Sequence, residues 1–226
     1  QPDTRSTQDA IAMEITDYAF FPTRVITIQF PETESLNAQL CELLNQRPEL
    51  DDKFNTQPEA MNLLRLASTV PAIAQLRTMF MTAATRWLEA EGIRGVTGMD
   101  LLLFTNRMAP GDSTTVHNHR ADLVGIYYAR TAATTHNPIQ TTDGADYFDA
   151  GDGVLLLHDP RFNANLTAVC ERDHVKVFPR PGLMLVFPAY LWHSVTPHRG
   201  NFHRVAWSMN FTLRWPAGPE EFQPLQ

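Results

Sequence analysis

After Gly92 the chain breaks into eight short segments that each read as a strand: 100–106, 114–119, 122–130, 153–159, 174–178, 183–187, 192–195 and 202–215. Gly, Pro, Asn and Asp punctuate them. Short strands at such close spacing suit an antiparallel sandwich or barrel. The preceding part has a different texture. Residues 24–30 (RVITIQF) alternate and predict a strand that ends at Pro31. From there Leu36, Leu40, Leu43 and Leu44 fall at helical spacing until Pro48. Residues 57–68 suggest a short helix. Residues 71–92 predict a long one, with Pro71 at its first turn and Gly92 at its end. The expectation is a β-rich core with helices packed on one of its sheets.

With 226 residues, 43% of them hydrophobic, the chain can bury a large core without disulfides or a structural metal. One domain over 1–226 is expected, with a helical support region over 13–95 and the β core over 96–215. Residues 1–12 precede the first methionine, Met13, and are expected to be disordered or a remnant of upstream sequence. The 25 acidic against 18 basic residues give a net charge of −7, which argues against a nucleic-acid partner. Only Lys53 and Lys176 are lysines, so anion contacts would come from arginine. Cys41 and Cys170 lack a CxxC spacing and read as buried thiols in a reducing cytoplasm. No apolar run approaches the about 18 residues of a membrane span. The polar stretch 131–152 is long for a connection, so a functional lid or mobile loop is expected there.

Three of the eight histidines stand apart by their spacing. His117 and His119 are two residues apart, so in a strand both rings point to one face. His193 closes a segment that turns at Gly182, runs as an apolar strand to Pro188 and bends. The spacings G-x5-H-x-H, from Gly111, and G-x5-P-x4-H, from Gly182, resemble the two halves of the cupin signature, without its Glu. Neutral imidazoles suit Fe, Zn, Cu or Ni alike. His136, His158, His174, His198 and His203 read as ordinary core or surface residues.

Arg204 lies on the strand after His193. Residues alternate there, and if Trp207 faces outward Arg204 points inward. A buried guanidinium needs an anion. A dicarboxylate ligand would serve, and so would a structural ion pair to Asp122, Asp152 or Asp159.

The combined motifs carry a family resemblance over 100–213, about half of the chain. They comprise Asn106, Gly111, His117, His119, Gly125-Ile-Tyr-Tyr128, Asp159-Pro-Arg161, Gly182, Phe187-Pro188, Leu191, His193-Ser-Val195, Pro197, Arg204, Ser208 and Asn210. This set resembles the Fe(II)/2-oxoglutarate-dependent oxygenase superfamily, and within it a family of oxygenases from bacteria and phages. The resemblance implies an all-β core with added helices: a double-stranded β-helix (jelly-roll, cupin-like) barrel with N-terminal helices packed on one sheet. It implies Fe(II) and 2-oxoglutarate as cofactor and co-substrate. His117 and His193 would be iron ligands, and His119 would stand where the superfamily usually has a carboxylate. Arg204 and Tyr128 would bind the far carboxylate of 2-oxoglutarate, with Asn106 facing it from a neighbouring strand. Ala206 stands where an R-x-S motif has Ser. Asp122 is an alternative third ligand, although its offset from His119 sets it on the opposite face.

The activity implied is hydroxylation of a small molecule, amino acid or peptide. Arg130 or Arg161 is a candidate anchor for a substrate carboxylate, at a rim formed by 131–152 and 159–161. Phe104, Leu185, Phe187 and Trp207 are candidate apolar walls. A three-histidine dioxygenase or isomerase without 2-oxoglutarate, and a non-catalytic ligand-binding barrel, are the competing classes. A homodimer stays open.

Overall fold

A computed structural model describes residues 22–51, 62–132, 134, 137–141, 151–161 and 174–216. The expectations for 1–12, for 57–61 of the short helix, for His136 and Cys170, and for most of the 131–152 stretch lie outside these residues.

Among the described residues, ten strands form two five-stranded sheets. The first contains β1 (Ile26–Gln29), β8 (Leu183–Pro188), β4 (Leu123–Arg130), β10 (Arg204–Arg214) and β2 (Gly98–Met108), in that spatial order. The second contains β3 (Thr114–His117), β9 (His193–Val195), β6 (Leu155–His158), β7 (His174–Val177) and β5 (Ile139–Thr141). Every pairing is antiparallel. This is the jelly-roll arrangement expected from the motifs.

The period-two pattern of the strands sorts their side chains into two cores. On β10, Val205, Trp207, Met209 and Phe211 join the helices in one cluster. Ala206 joins the other cluster, between the sheets. On β4, Leu123, Tyr127 and Ala129 face the helices, whereas Val124, Ile126 and Tyr128 face the second sheet. On β8, Met184 and Val186 face outward to the helices, and Leu183, Leu185 and Phe187 inward. The first sheet is therefore buried on both faces, which explains why β8 reads as an unbroken apolar run.

Helix α1 (Glu34–Gln46) buries Leu36, Leu40 and Leu44, one per turn. Each contributes about 1.5–3 kcal/mol by leaving water. Helix α2 (Pro71–Glu91) begins on Pro71, whose fixed φ suits the first turn. It ends where Gly92 takes a left-handed φ of 68°, with its N–H donating to Glu89 O at 3.1 Å. Its Phe80 ring lies over Gly125 of β4, where a Cβ would come within 2.7 Å of the ring. Residues 63–68 form a 3-10 turn, with Asn62 accepting from Leu64 N. The same Asn62 bonds Leu101 O and Leu103 N, and so covers part of the edge strand β2.

Two expectations need correction. Cys41 is half-buried on α1 rather than enclosed. Strand β5 arises within 131–152, where the Thr-rich sequence gives no alternation of apolar and polar residues. Among the described residues, no helix is long and apolar enough to cross a membrane.

Candidate active site

Strands β3 and β9 place His117 directly opposite His193. Cross-strand neighbours on one face stand close together, and their ring centroids are 4.4 Å apart. His119 lies just beyond β3. Its backbone N–H donates to Ala189 O at 3.1 Å, which ties it to the bend between β8 and β9. Its ring centroid is 5.3 Å from His117 and 5.1 Å from His193. One ligating nitrogen from each ring lies within 4.8 Å of the others, a spacing that suits a shared metal ion.

All three rings are held from behind. Nδ1 of His117 donates to Thr115 O at 2.7 Å, and Nδ1 of His193 to Leu191 O at 2.9 Å. Nδ1 of His119 donates to Oδ1 of Asn210, on β10, at 2.8 Å. A proton fixed on Nδ1 leaves the Nε2 lone pair available to a metal. Burial holds His119 at a pKa of about 4, helped by the charge of His117 and opposed by the Asn210 hydrogen bond. Burial likewise lowers His193 to about 3, against the Leu191 hydrogen bond. Both rings are thus neutral at ordinary pH, the form that binds metals. Phe104 stacks on His119 at 5.8 Å, and Phe187 meets His193 edge-on at 5.3 Å.

The same cavity between the sheets continues from the histidines to Asn106, Tyr128 and Arg204. Arg204 is 2% exposed. Its Nη1 donates to the Met108 sulfur at 3.5 Å, a weak acceptor, and its Nε has no partner. The guanidinium carbon stands 5.1 Å from the centre of the Tyr128 ring. The Tyr128 hydroxyl and Asn106 Oδ1 are also buried without a hydrogen bond. Burial pushes the Tyr128 phenol up to about 12, with the charge of Arg204 opposing it. Burial lowers the pKa of Arg204, against Tyr128 and Asp152. Each unmet buried group costs about 1–3 kcal/mol, and more where it is charged. Two of these groups, Arg204 Nε and the Tyr128 hydroxyl, are donors lining one cavity, and they mark a place where an anionic ligand would restore missing bonds. The donor set therefore fits both a metal at one end and a carboxylate at the other.

The carboxylates weighed for Arg204 are engaged elsewhere. Asp122 accepts from Leu213 N at 2.7 Å, and it is not part of the histidine cluster. Asp159 accepts from Arg161 Nε at 2.9 Å. Asp152 accepts from His198 and from Arg199 N.

Arg161 is thus tied to Asp159, and Arg130 lies over the Phe202 ring at 5.0 Å. Neither lines the cavity. Of the four expected apolar walls, Phe104 lines it and Phe187 backs His193. Leu185 belongs to the core between the sheets. Trp207 faces the helices instead, because it shares the odd-numbered face of β10 with Val205 and Met209. Asn210 stands in the matched motif set without a role of its own. Its even spacing from Arg204 on one strand was the signal that it faces the site.

The family model described as Putative 2OG-Fe(II) oxygenase matches residues 103–210, just under half of the chain. A prolyl-4-hydroxylase from Pseudomonas putida has a similar fold, with TM-score 0.54 and 14% identity over 85% of this chain and 89% of that one. EvdO2 from Micromonospora carbonacea var. aurantiaca, complexed with 2-oxoglutarate, gives TM-score 0.53 and 14% identity over 88% and 91%. A Trichoplax adhaerens prolyl hydroxylase in complex with a peptide fragment gives 0.51 and 15% over 83% of each chain. No curated protein matches the sequence. The cavity joins a metal-ready histidine cluster to a buried guanidinium, and it lies within the matched segment. Through that segment the chain is similar to the Fe(II)- and 2-oxoglutarate-dependent oxygenases.

Proposed function

We propose that this oxygenase binds Fe(II) through Nε2 of His117, His119 and His193, and 2-oxoglutarate through Arg204, Tyr128 and Asn106. The observation that carries the second half is the pair of unbonded buried donors, Tyr128 Oη and Arg204 Nε, in the cavity beside the histidines. When bound, the iron and 2-oxoglutarate supply oxidation by O2, with 2-oxoglutarate converted to succinate and CO2. The protein's part is to hold and to orient. Hydrogen bonds behind each imidazole fix its tautomer and angle. Arg204 neutralises the far carboxylate in a water-poor setting, where the attraction is strong. Apolar neighbours such as Val124, Ile126 and Leu155 keep water out.

Three neutral histidines contribute no ligand charge, so a dianionic co-substrate would supply the negative charge at the metal. The substrate is proposed to be a small molecule, an amino acid or a peptide. The peptide option draws support from the fold shared with a prolyl hydroxylase in complex with a peptide fragment.

The three-histidine set also suits a dioxygenase that uses no keto acid, and the absence of a carboxylate at position 119 favours that second reading. The two separate in one titration. Adding 2-oxoglutarate to the anaerobic Fe(II) protein should produce a visible charge-transfer band, which disappears in Arg204→Leu while metal content is retained. No band in the wild-type protein would favour the keto-acid-independent enzyme.

A further inference from the structure

The fold keeps a carboxylate close to Arg204 and yet apart from it. Asp152 is the carboxylate whose charge acts on the guanidinium. The next residue, Gly153, lies flat against Arg204. A Cβ there would stand 2.9 Å from Arg204 Cδ and 3.2 Å from Nε. A buried guanidinium and a neighbouring, partly exposed carboxylate readily close into a bidentate pair. Among the described residues no such pair forms. Asp152 Oδ1 accepts instead from His198 Nδ1 at 2.8 Å and from Arg199 N at 2.7 Å.

His198 is fully buried and gripped on every side. Its N–H donates to Asp112 O at 2.8 Å, and its own carbonyl accepts from Gly111 N at 2.6 Å. The Phe202 ring meets it edge-on at 4.9 Å. Nε2 lies 2.7 Å from Phe202 O, so both ring nitrogens face acceptors. The ring is thus held from both of its nitrogens, by Asp152 on one side and Phe202 O on the other.

We propose that His198 is a positioning residue for the co-substrate site: it engages Asp152, keeps that carboxylate off Arg204, and so reserves the guanidinium for the co-substrate. The inference rests on the assignment of Arg204 to 2-oxoglutarate. Without His198, Asp152 becomes an internal competitor for the same fork of N–H donors. An incoming dicarboxylate would first have to displace it.

The test is a double-mutant cycle read by calorimetric binding of 2-oxoglutarate to the anaerobic, Fe(II)-loaded protein. His198→Gln should weaken binding by about tenfold, with metal content unchanged. Asp152→Asn keeps an acceptor for both donors and removes the competing charge, so it should bind as tightly as wild type or tighter. In the Asp152→Asn background, His198→Gln should then cost less than about twofold. A loss of similar size in both backgrounds would mean that His198 merely supports the fold, and it would overturn the proposal. So would unaltered binding in His198→Gln alone. If His198→Gln fails to fold, Asp152→Asn decides, because weaker binding there contradicts a competing carboxylate. Arg204→Met is the separate control: unaltered binding in that variant would overturn the assignment of Arg204 itself.

Discussion

The two ends of one cavity are built on opposite principles. At the histidine end every imidazole is already bonded on its far side, to Thr115 O, Leu191 O or Asn210 Oδ1. At the guanidinium end Arg204 Nε, the Tyr128 hydroxyl and Asn106 Oδ1 are buried with their hydrogen-bonding capacity unmet. The first end is preorganised: its orientation is set before a metal arrives, and binding need not order it. The second end is destabilised in the free protein and would be relieved by a ligand. Strand β10 serves both, with Asn210 behind His119 and Arg204 facing the far end. A site can thus combine a rigid metal frame with a deliberate shortage of partners, and the two ends should respond to mutation in different ways.

The largest expected effect breaks the histidine end. His193→Ala removes a ligand that other residues hold in place, so metal content after equilibration with Fe(II) should fall by about 100-fold or more in affinity. Next comes the opposite end. Arg204→Met should weaken 2-oxoglutarate by about 100-fold, as expected for loss of a charge-assisted contact. The same substitution removes an unpaired buried charge, so thermal unfolding of the metal-free protein should occur at the same temperature or higher. A fall in both affinity and melting temperature would erase the contrast between the ends. Third, Asn210→Ala should reduce metal affinity by about tenfold through loss of the support behind His119, with 2-oxoglutarate affinity little altered once metal is saturating.

A milder effect concerns pH. The folded pKa values of His119 and His193, about 4 and about 3, lie below the ordinary histidine value of 6.5. In the unfolded chain both rings take up protons first as pH falls. The stability of the metal-free protein should therefore be intact above pH 6.5 and decline progressively down to about pH 3–4. Equilibrium unfolding in urea across that range checks the sign. Smallest in reach is Gly125→Ala, remote from the cavity. Its methyl would press on Phe80 and should cost about 1–3 kcal/mol of stability without altering the affinity of either ligand.

Much of this was legible in the sequence because strands and turns leave short-range marks. The i, i+2 pair His117 and His119 and the alternation of β10 are local patterns, and the packing preserved them. Helix α2 was bounded by its own Pro71 and Gly92. Other features depend on contacts between distant parts of the chain. Strand β5 has no alternating pattern of its own and exists by pairing with β7. Trp207 was expected both to face outward and to wall the cavity, and the register of β10 against β2 and β4 decides for the outward face. The partner of His198, Asp152, is 46 residues away. No spacing rule connects such a pair, which forms because the turn at Gly153 and the segment after β9 meet beside Arg204. Likewise, three possible acidic partners for Arg204 could be named from the sequence, but only the fold reveals that each is engaged by other donors.

The central claim is that one cavity holds a metal at three imidazoles and a dicarboxylate at Arg204. The most direct measurement is a crystal structure of the anaerobic Fe(II) protein with 2-oxoglutarate. The account predicts the metal bound by Nε2 of His117, His119 and His193, with the far carboxylate in hydrogen-bond contact with Arg204 and the Tyr128 hydroxyl. A metal held by other residues, or a co-substrate carboxylate seated away from an Arg204 that remains unbonded, would contradict it.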